Sequence, residues 1–254
     1  AVVIDNGADF RMDSKLPLVV PEVNAADVKK HKGIIANPNC STIQMVVALW
    51  PIYKKCGIKR IIVTTLQAAS GAGRGAVEQL KEESAQIDKL GYQNVVLPPD
   101  QKRVLPQQLA FNVFPHIGTF AEYDYTNEEW KLVKETHKIM HDDKIKISAT
   151  TVRVPVRTGH SESIYIETDK PIAPEKARVV LSEAPGVVVI DDPKNNLYPM
   201  PYTVEGKDET FVGRIRKDPF VKNGLWLWVV SDNLRKGAAT NAVQIAECVI
   251  SNWK

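Results

Sequence analysis

The 254-residue chain is 44% hydrophobic and 25% charged, with a formal net charge of +3, the profile of an ordinary globular protein of one or two domains with residues enough for a large core. So small a charge gives no ground for a nucleic-acid partner, and no apolar run approaches the roughly 18 residues that a membrane-spanning helix needs. Three cysteines, at 40, 56 and 248, share no close spacing, which indicates neither a zinc site nor a disulfide framework and fits a reducing compartment.

Ala1-Val2-Val3-Ile4, followed by Asp5-Asn6-Gly7, reads as a buried strand ending in a turn. A chain that opens in mid-sheet without a Met is expected to be a fragment lacking its N-terminal part. A polar stretch with Pro17 and Pro21 then reads as loop through Val23. A helix is expected over 24–32 with Asn24 as its cap, and a short strand over 33–36. Ile43, Val46, Val47, Trp50 and Tyr53 recur at the helical period, so a helix starts at Cys40, is crossed by Pro51 and stops at Gly57. The β-branched run over 58–66 predicts a strand, and residues 71–90 predict a helix behind a Gly-rich turn. Residues 91–125, with four prolines, read as a long irregular surface excursion.

Thr126-Asn127-Glu128-Glu129 is a capping-box pattern opening a helix to about His141. Strands are expected over 145–156 and 161–167 around a turn at Thr158-Gly159. A helix led by Pro174 follows, then strands near 187–191, 209–216 and 225–231. A helix from Asn233 to about Trp253 closes the chain. Strands grouped with few helices between them predict a mixed, largely antiparallel sheet covered by helices, an α+β arrangement.

Two constellations carry chemistry. Cys40 stands at a helix N-terminus, where unpaired N–H groups and the helix dipole favour a thiolate and predict a lowered pKa. Read alone, it is equally a small buried thiol at a helix start. His160 follows a Gly turn between two strands, a placement suited to a general acid/base, and its ordinary pKa near 6.5 suits neutral pH. Arg153 lies upstream on a strand, able to bind a carboxylate through two parallel hydrogen bonds. Ser70-Gly71-Ala72-Gly73-Arg74-Gly75 lacks the full G-x-G-x-x-G spacing and an acidic ribose partner. It is a tight strand-to-helix turn or an anion-facing one.

Several segments together resemble the aspartate-β-semialdehyde dehydrogenases, in the same order and over essentially the whole chain. They are 36–42 around Cys40, Gln67-Ala68-Ala69-Ser70-Gly71-Ala72-Gly73, Ala110-Phe111-Asn112-Val113 with Pro115, the stretch 153–162, 213–218, and Asp232-Asn233-Leu234-Arg235-Lys236-Gly237-Ala238-Ala239 with Asn241-Ala242-Val243-Gln244. The glycolytic glyceraldehyde phosphate enzymes carry Ser-Cys-Thr-Thr-Asn at the nucleophile and the acetylglutamyl phosphate reductases Gly-Cys-Tyr-Pro; neither pattern is present.

The resemblance implies a glyceraldehyde-phosphate-dehydrogenase-like fold. An α+β catalytic and dimerisation domain would span 37–232, attached to the end of a Rossmann-type NADP-binding domain over 1–36, with the helix over 233–254 packing back on that domain. It also implies NADPH-dependent reductive dephosphorylation of L-aspartyl-4-phosphate to the semialdehyde, feeding lysine, threonine and methionine synthesis, by a homodimer in the cytoplasm, or in a plastid if the source is a plant or alga. Cys40 would be the nucleophile, His160 the acid/base and Gln67 the holder of the acyl intermediate. Arg153 would bind the α-carboxylate, Glu128 the α-amino group, and Lys131 and Asn39 the phosphate, with Ser70, Gly71 and Asn233 at the cofactor and no metal. The family's Gly-rich phosphate loop, and a further arginine of that domain that grips the phosphate, are expected to be absent from the chain. NADP binding is therefore expected to be impaired and the isolated chain inactive. The competing readings are a related thioester reductase acting on a CoA ester and a truncated, non-catalytic dimerising module.

Overall fold

Six strands make one mixed sheet in the order β4-β3-β5-β8-β7-β6. The computed structural model describes residues 1–91 and 104–251, and the strands are β3 (Ile58–Gln67), β4 (Lys146–Arg153), β5 (His160–Thr168), β6 (Val187–Val189), β7 (Thr210–Lys217) and β8 (Gly224–Ser231). The β3–β4 and β7–β6 pairs are parallel and the three central pairings antiparallel. β1 (Val3–Asp5) and β2 (Ile34–Ala36) form a separate parallel pair.

Register decides where the chemistry sits. Gln67 pairs with Arg153 at the common end of β3 and β4, and Ser161 beside it pairs with Leu66. His160 pairs with Ser231, whose strand leads straight into Asp232 and Asn233. Four strands thus end or begin at one edge of the sheet, and residues up to 166 apart in sequence meet there.

The other constraint is the helix α2 (Cys40–Cys56), which buries Ile43, Val46, Val47 and Ile52 against Ile61, Val63, Ile164 and Val229 on one sheet face. α4 (Asn127–Met140) and α5 (Pro174–Ser182) add Leu132, Ile139, Ala177 and Leu181 to that core. Thr126 caps α4 with the expected capping box, and Gly57 ends α2 at φ 69°, a backbone region that glycine enters without a Cβ penalty.

Several expectations shift. The helix expected to start at Asn24 begins earlier, as α1 (Pro21–Asn24), and continues as a 3₁₀ turn over Ala25–Lys30. Asn24 is no cap, because its Oδ1 accepts the Val20 N–H and its amide donates to Leu18 and Asp27. The Gly-rich turn is a 3₁₀ turn over Ala69–Ala72, so α3 begins at Arg74 and runs to Leu90. Residues 92–103 of the expected surface excursion lie outside the described residues, as does the last helix beyond Ser251. Past position 103 the chain is not all surface: Leu105, Leu109 and Phe114 pack with Ala69 and Ala76. The buried Glu83 makes this possible by accepting the Leu109 and Ala110 N–H groups at 2.7 and 2.9 Å. α6 (Pro201–Val204) is a single short turn.

The expected closing helix is broken in two. A π-helical turn over Arg235–Ala239 precedes α7 (Thr240–Ser251). Ile245 of α7 packs on Val19, Val28 and Ile35 beside the small sheet. Lys236 is fully buried and donates to Glu22 at 2.7 Å, Asn241 at 2.9 Å and Gln244 at 2.5 Å. Burial lowers its pKa, with Glu22 opposing. Lys236→Met should leave Glu22 buried without its cation and cost about 3–5 kcal/mol of stability, the usual loss when one partner of a buried pair is removed. Urea unfolding measures it, and a loss under about 1 kcal/mol would show the pair to be dispensable.

Candidate active site

Asn39 is the N-cap of α2 and decides what its first turn can do. Its backbone is extended (φ −63°, ψ 144°), and its Oδ1 accepts the N–H groups of Ser41 and Thr42 at 3.1 and 3.4 Å. Cys40 follows as the first helical residue and borders a cavity of about 400 Å³. Gly237 of the π-helical turn lies against it: a Cβ there would stand 2.9 Å from the Cys40 Cβ. Only a residue without a side chain lets the two backbones approach so closely.

The same cavity is lined by Asn39, Gln67, Ser70, Gly71, Glu128, Lys131, Arg153 and Asn233, eight of the nine residues singled out from the sequence besides Cys40 itself. The remaining one, His160, is fully buried and lies behind Gly71. A larger cavity of about 570 Å³, lined by residues between 12 and 30 and between 134 and 143, holds none of them. No cluster that could hold a metal ion occurs among the described residues.

Glu128 organises one wall. Its Oε1 accepts from Asn39 Nδ2 at 2.9 Å and Gln67 Nε2 at 3.1 Å, and its Oε2 from Lys131 Nζ at 3.0 Å. Burial pushes its pKa up, but Lys131 and the hydrogen bonds more than offset this and hold it below the usual value. Thr65 Oγ1 donates to Gln67 Oε1 at 2.9 Å and so sets which way that amide faces.

The thiol differs from the expectation of a lowered pKa. Although Cys40 keeps some exposure, burial first and the Glu128 charge second push it up to about 12. The Ser41 N–H and hydroxyl at the helix end and the Arg11 charge pull the other way, but burial and the Glu128 charge outweigh them.

His160 also departs from its expected ordinary pKa. Burial, then the Arg153 charge, pull it down to about 3. The Ala68 N–H donates to Nδ1 at 3.0 Å, so the neutral ring carries its hydrogen on Nε2. Nε2 is buried and has no protein partner. A Cβ on Gly71 would meet Cε1 at 3.0 Å and Nε2 at 3.1 Å, so the glycine leaves space above the ring edge. Asn233 joins the two loops here: its Oδ1 accepts the Gly159 N–H at 2.9 Å, and its side-chain amide lies against Ser70 Oγ, with Nδ2 at 3.0 Å and Oδ1 at 3.2 Å.

Arg153 anchors through one nitrogen, Nη1 to Ala68 O at 2.5 Å, and its buried Nε has no partner. Sequence alone pointed to no further arginine for the anion, yet Arg11 lines the cavity too. It donates from Nη1 to Glu135 at 3.2 Å and from Nη2 to Asn6 O at 3.0 Å, leaving a buried Nε unpartnered. Arg11 was hidden because it sits in an aperiodic loop stretch; only its contact with α4 marks it.

Residues 49–236 match the family model described as semialdehyde dehydrogenase, dimerisation domain, and residues 1–31 match semialdehyde dehydrogenase, NAD binding domain. An aspartate-semialdehyde dehydrogenase of Aquifex aeolicus is 62% identical over 98% of this chain and 72% of its own length. That of Bacillus subtilis is 54% identical over 97% and 72%. Among solved structures, aspartate semialdehyde dehydrogenase II from Vibrio cholerae superposes with a TM-score of 0.93 at 45% identity, covering 100% of this chain and 73% of that one, both alone and complexed with ASA. The Candida albicans enzyme with NADP superposes at 0.72 and 26% identity, over 98% and 70%.

The raised thiol pKa has a direct consequence. An acid whose pKa is raised stays protonated through neutral pH, so alkylation of Cys40 in the ligand-free protein should accelerate only at alkaline pH. Glu128→Gln removes the negative charge and should move that midpoint downward. Mass-resolved iodoacetamide labelling against pH checks both, and a midpoint below 8 in the unsubstituted protein would contradict the structure.

Proposed function

Because the chain belongs to the aspartate-semialdehyde dehydrogenase family, we propose that the cavity at the start of α2 is where it performs that family's reaction, with Cys40 as nucleophile. The reaction is the NADPH-dependent reductive dephosphorylation of L-aspartyl-4-phosphate to L-aspartate-4-semialdehyde, in lysine, threonine and methionine synthesis, by a homodimer. One observation supports the placement above others: a thiol at a helix start shares one cavity with Arg11, Lys131, Arg153 and Glu128. That is three cations and an anion for a substrate with phosphate, carboxylate and ammonium groups.

The roles follow from position. Arg11, Lys131 and Asn39 stand together beside Cys40 and take the phosphate. Arg153 takes the α-carboxylate with the part of its guanidinium that Ala68 leaves free. Glu128 takes the ammonium, and that positive charge offsets the field that keeps the thiol protonated. The sulfur then attacks the acyl carbon, the carbonyl oxygen becomes an oxyanion, and the C–O bond to phosphate breaks to give the thioester, the departing phosphate taking up the proton that the thiol gives up. His160 Nε2–H is a donor for that oxyanion. The observed tautomer suits donation rather than acceptance of the thiol proton at Nε2. Gln67, at the end of β3, holds the acyl group against Cys40.

The residues present fit the nicotinamide end of NADPH: Ser70 and Asn233 pair at the rim, and Gly71 keeps open a space that a Cβ would fill. When bound, NADPH supplies the hydride that reduces the thioester to the aldehyde. Residues 1–36 and 233–254 are assigned to the cofactor side and 37–232 to the catalytic side, supported by the packing of α7 on the small sheet. The protein is placed in the cytoplasm, supported by three scattered cysteines whose spacing suits a reducing compartment. No helix among the described residues is long and apolar enough to cross a membrane.

Cys40→Ser should abolish turnover while leaving the melting temperature nearly unchanged, and His160→Asn should slow turnover by about 10²–10⁴-fold with little change in KM. Steady-state kinetics of both variants decide it: wild-type turnover in either removes that residue from the chemistry. Arg153→Lys should chiefly raise KM for the semialdehyde, since an ammonium cannot form two parallel hydrogen bonds. If the same variant instead raised KM for phosphate alone, Arg153 would belong at the phosphate end.

A further inference from the structure

We propose that Glu135, which does not line the cavity, is the positioning residue that aims both the anion-binding arginine and the nucleophile's helix at the phosphate end of the site. This rests on the reading of Arg11, Lys131 and Asn39 as the phosphate contacts. Glu135 lies on α4, seven residues after Glu128, which is two helical turns along the same face. It is 1% exposed. Its Oε2 accepts the backbone N–H of Asn39 at 2.7 Å, and its Oε1 accepts from Arg11 Nη1 at 3.2 Å.

One carboxylate therefore fixes two groups from distant parts of the chain. Arg11 comes from the loop after β1 and Asn39 from the turn before α2. Among the described residues no other side-chain acceptor holds the Arg11 guanidinium, whose second contact is the Asn6 carbonyl. The Asn39 bond fixes the Pro38–Asn39 peptide, one residue before Cys40, at the N-cap of α2. Lys138, nearly one turn further on, donates to the carbonyls of Arg11 and Asp13 at 2.7 and 2.8 Å, so α4 grips both backbone and side chain of this loop. The arrangement leaves Arg11 Nε buried, a donor held in place with no acceptor among the described residues. A buried donor left in that state is costly unless a ligand satisfies it. An anion beside Asn39 and Lys131 would do so.

Glu135→Gln tests this in the complete enzyme. The glutamine carbonyl can still accept from Asn39, but its amide meets the Arg11 guanidinium donor to donor. In the semialdehyde-oxidising direction, KM for inorganic phosphate should rise about tenfold or more, while KM for the semialdehyde stays within about twofold. Glu135→Asp, which keeps the charge, should recover part of the loss. Arg11→Ala should raise the phosphate KM at least as far, and the double variant should be no worse than Arg11→Ala, since the two act as one unit.

The failures separate cleanly. If Arg11→Ala raises the phosphate KM and Glu135→Gln does not, the positioning role is wrong and the phosphate reading stands. If Arg11→Ala leaves the phosphate KM unchanged, the phosphate reading fails and takes this proposal with it. If Glu135→Gln raises both KM values in parallel and lowers the melting temperature, Glu135 only holds the fold, and the proposal is overturned.

Discussion

Glu128 ties together at one point three elements that the core already packs side by side. Its carboxylate takes donors from the turn before α2, from the end of β3 and from its own helix. A charge this deeply buried is stable only when its lone pairs are filled. The requirement therefore sets the relative positions of Asn39, Gln67 and Lys131 to within hydrogen-bond tolerance. The position of Cys40 follows, because Asn39 is both a partner of Glu128 and the cap that starts the helix there. Burial first and the same charge second keep the thiol protonated, so the group that builds the site also adds to the restraint on its sulfur.

The sheet edge supplies the second half of the geometry. Backbone groups, rather than side chains, orient His160: the Ala68 amide decides the tautomer and Gly71 decides what can approach the ring. The register of β3, β4 and β5 puts Gln67, Arg153 and His160 on neighbouring strand ends, and Asn233 pins the two loops that flank them. Such a site is rigid because its parts are set by ladders already fixed across the whole sheet.

The closing segment couples this edge to the small β1–β2 sheet. The π-helical turn brings Gly237 against Cys40, and the neighbouring Lys236 reaches Glu22 on the far side. A widened turn at a functional site is a common use of π geometry. Here it lets one residue touch the nucleophile while the next is buried in a charge pair, which the ordinary helical period expected from Asn233 onward would not have placed in the same way.

Periodicity, turn residues and the capping box were enough to locate α2, α4, α5 and most strands of the large sheet, because those signals depend on neighbours a few residues apart. The motif around Cys40 and the run from Arg153 to His160 likewise named the chemistry by residue type and order. Protonation states did not follow from sequence: the Cys40 and His160 shifts arise from burial and from charges brought in by Glu128 and Arg153, and neither distance nor desolvation is written in local sequence. Arg11 and Glu135 were illegible for the same reason. One lies in an aperiodic loop and the other reads as an ordinary helical carboxylate, and they pair across 124 positions. Only the folded chain, which must satisfy every buried charge, brings them together.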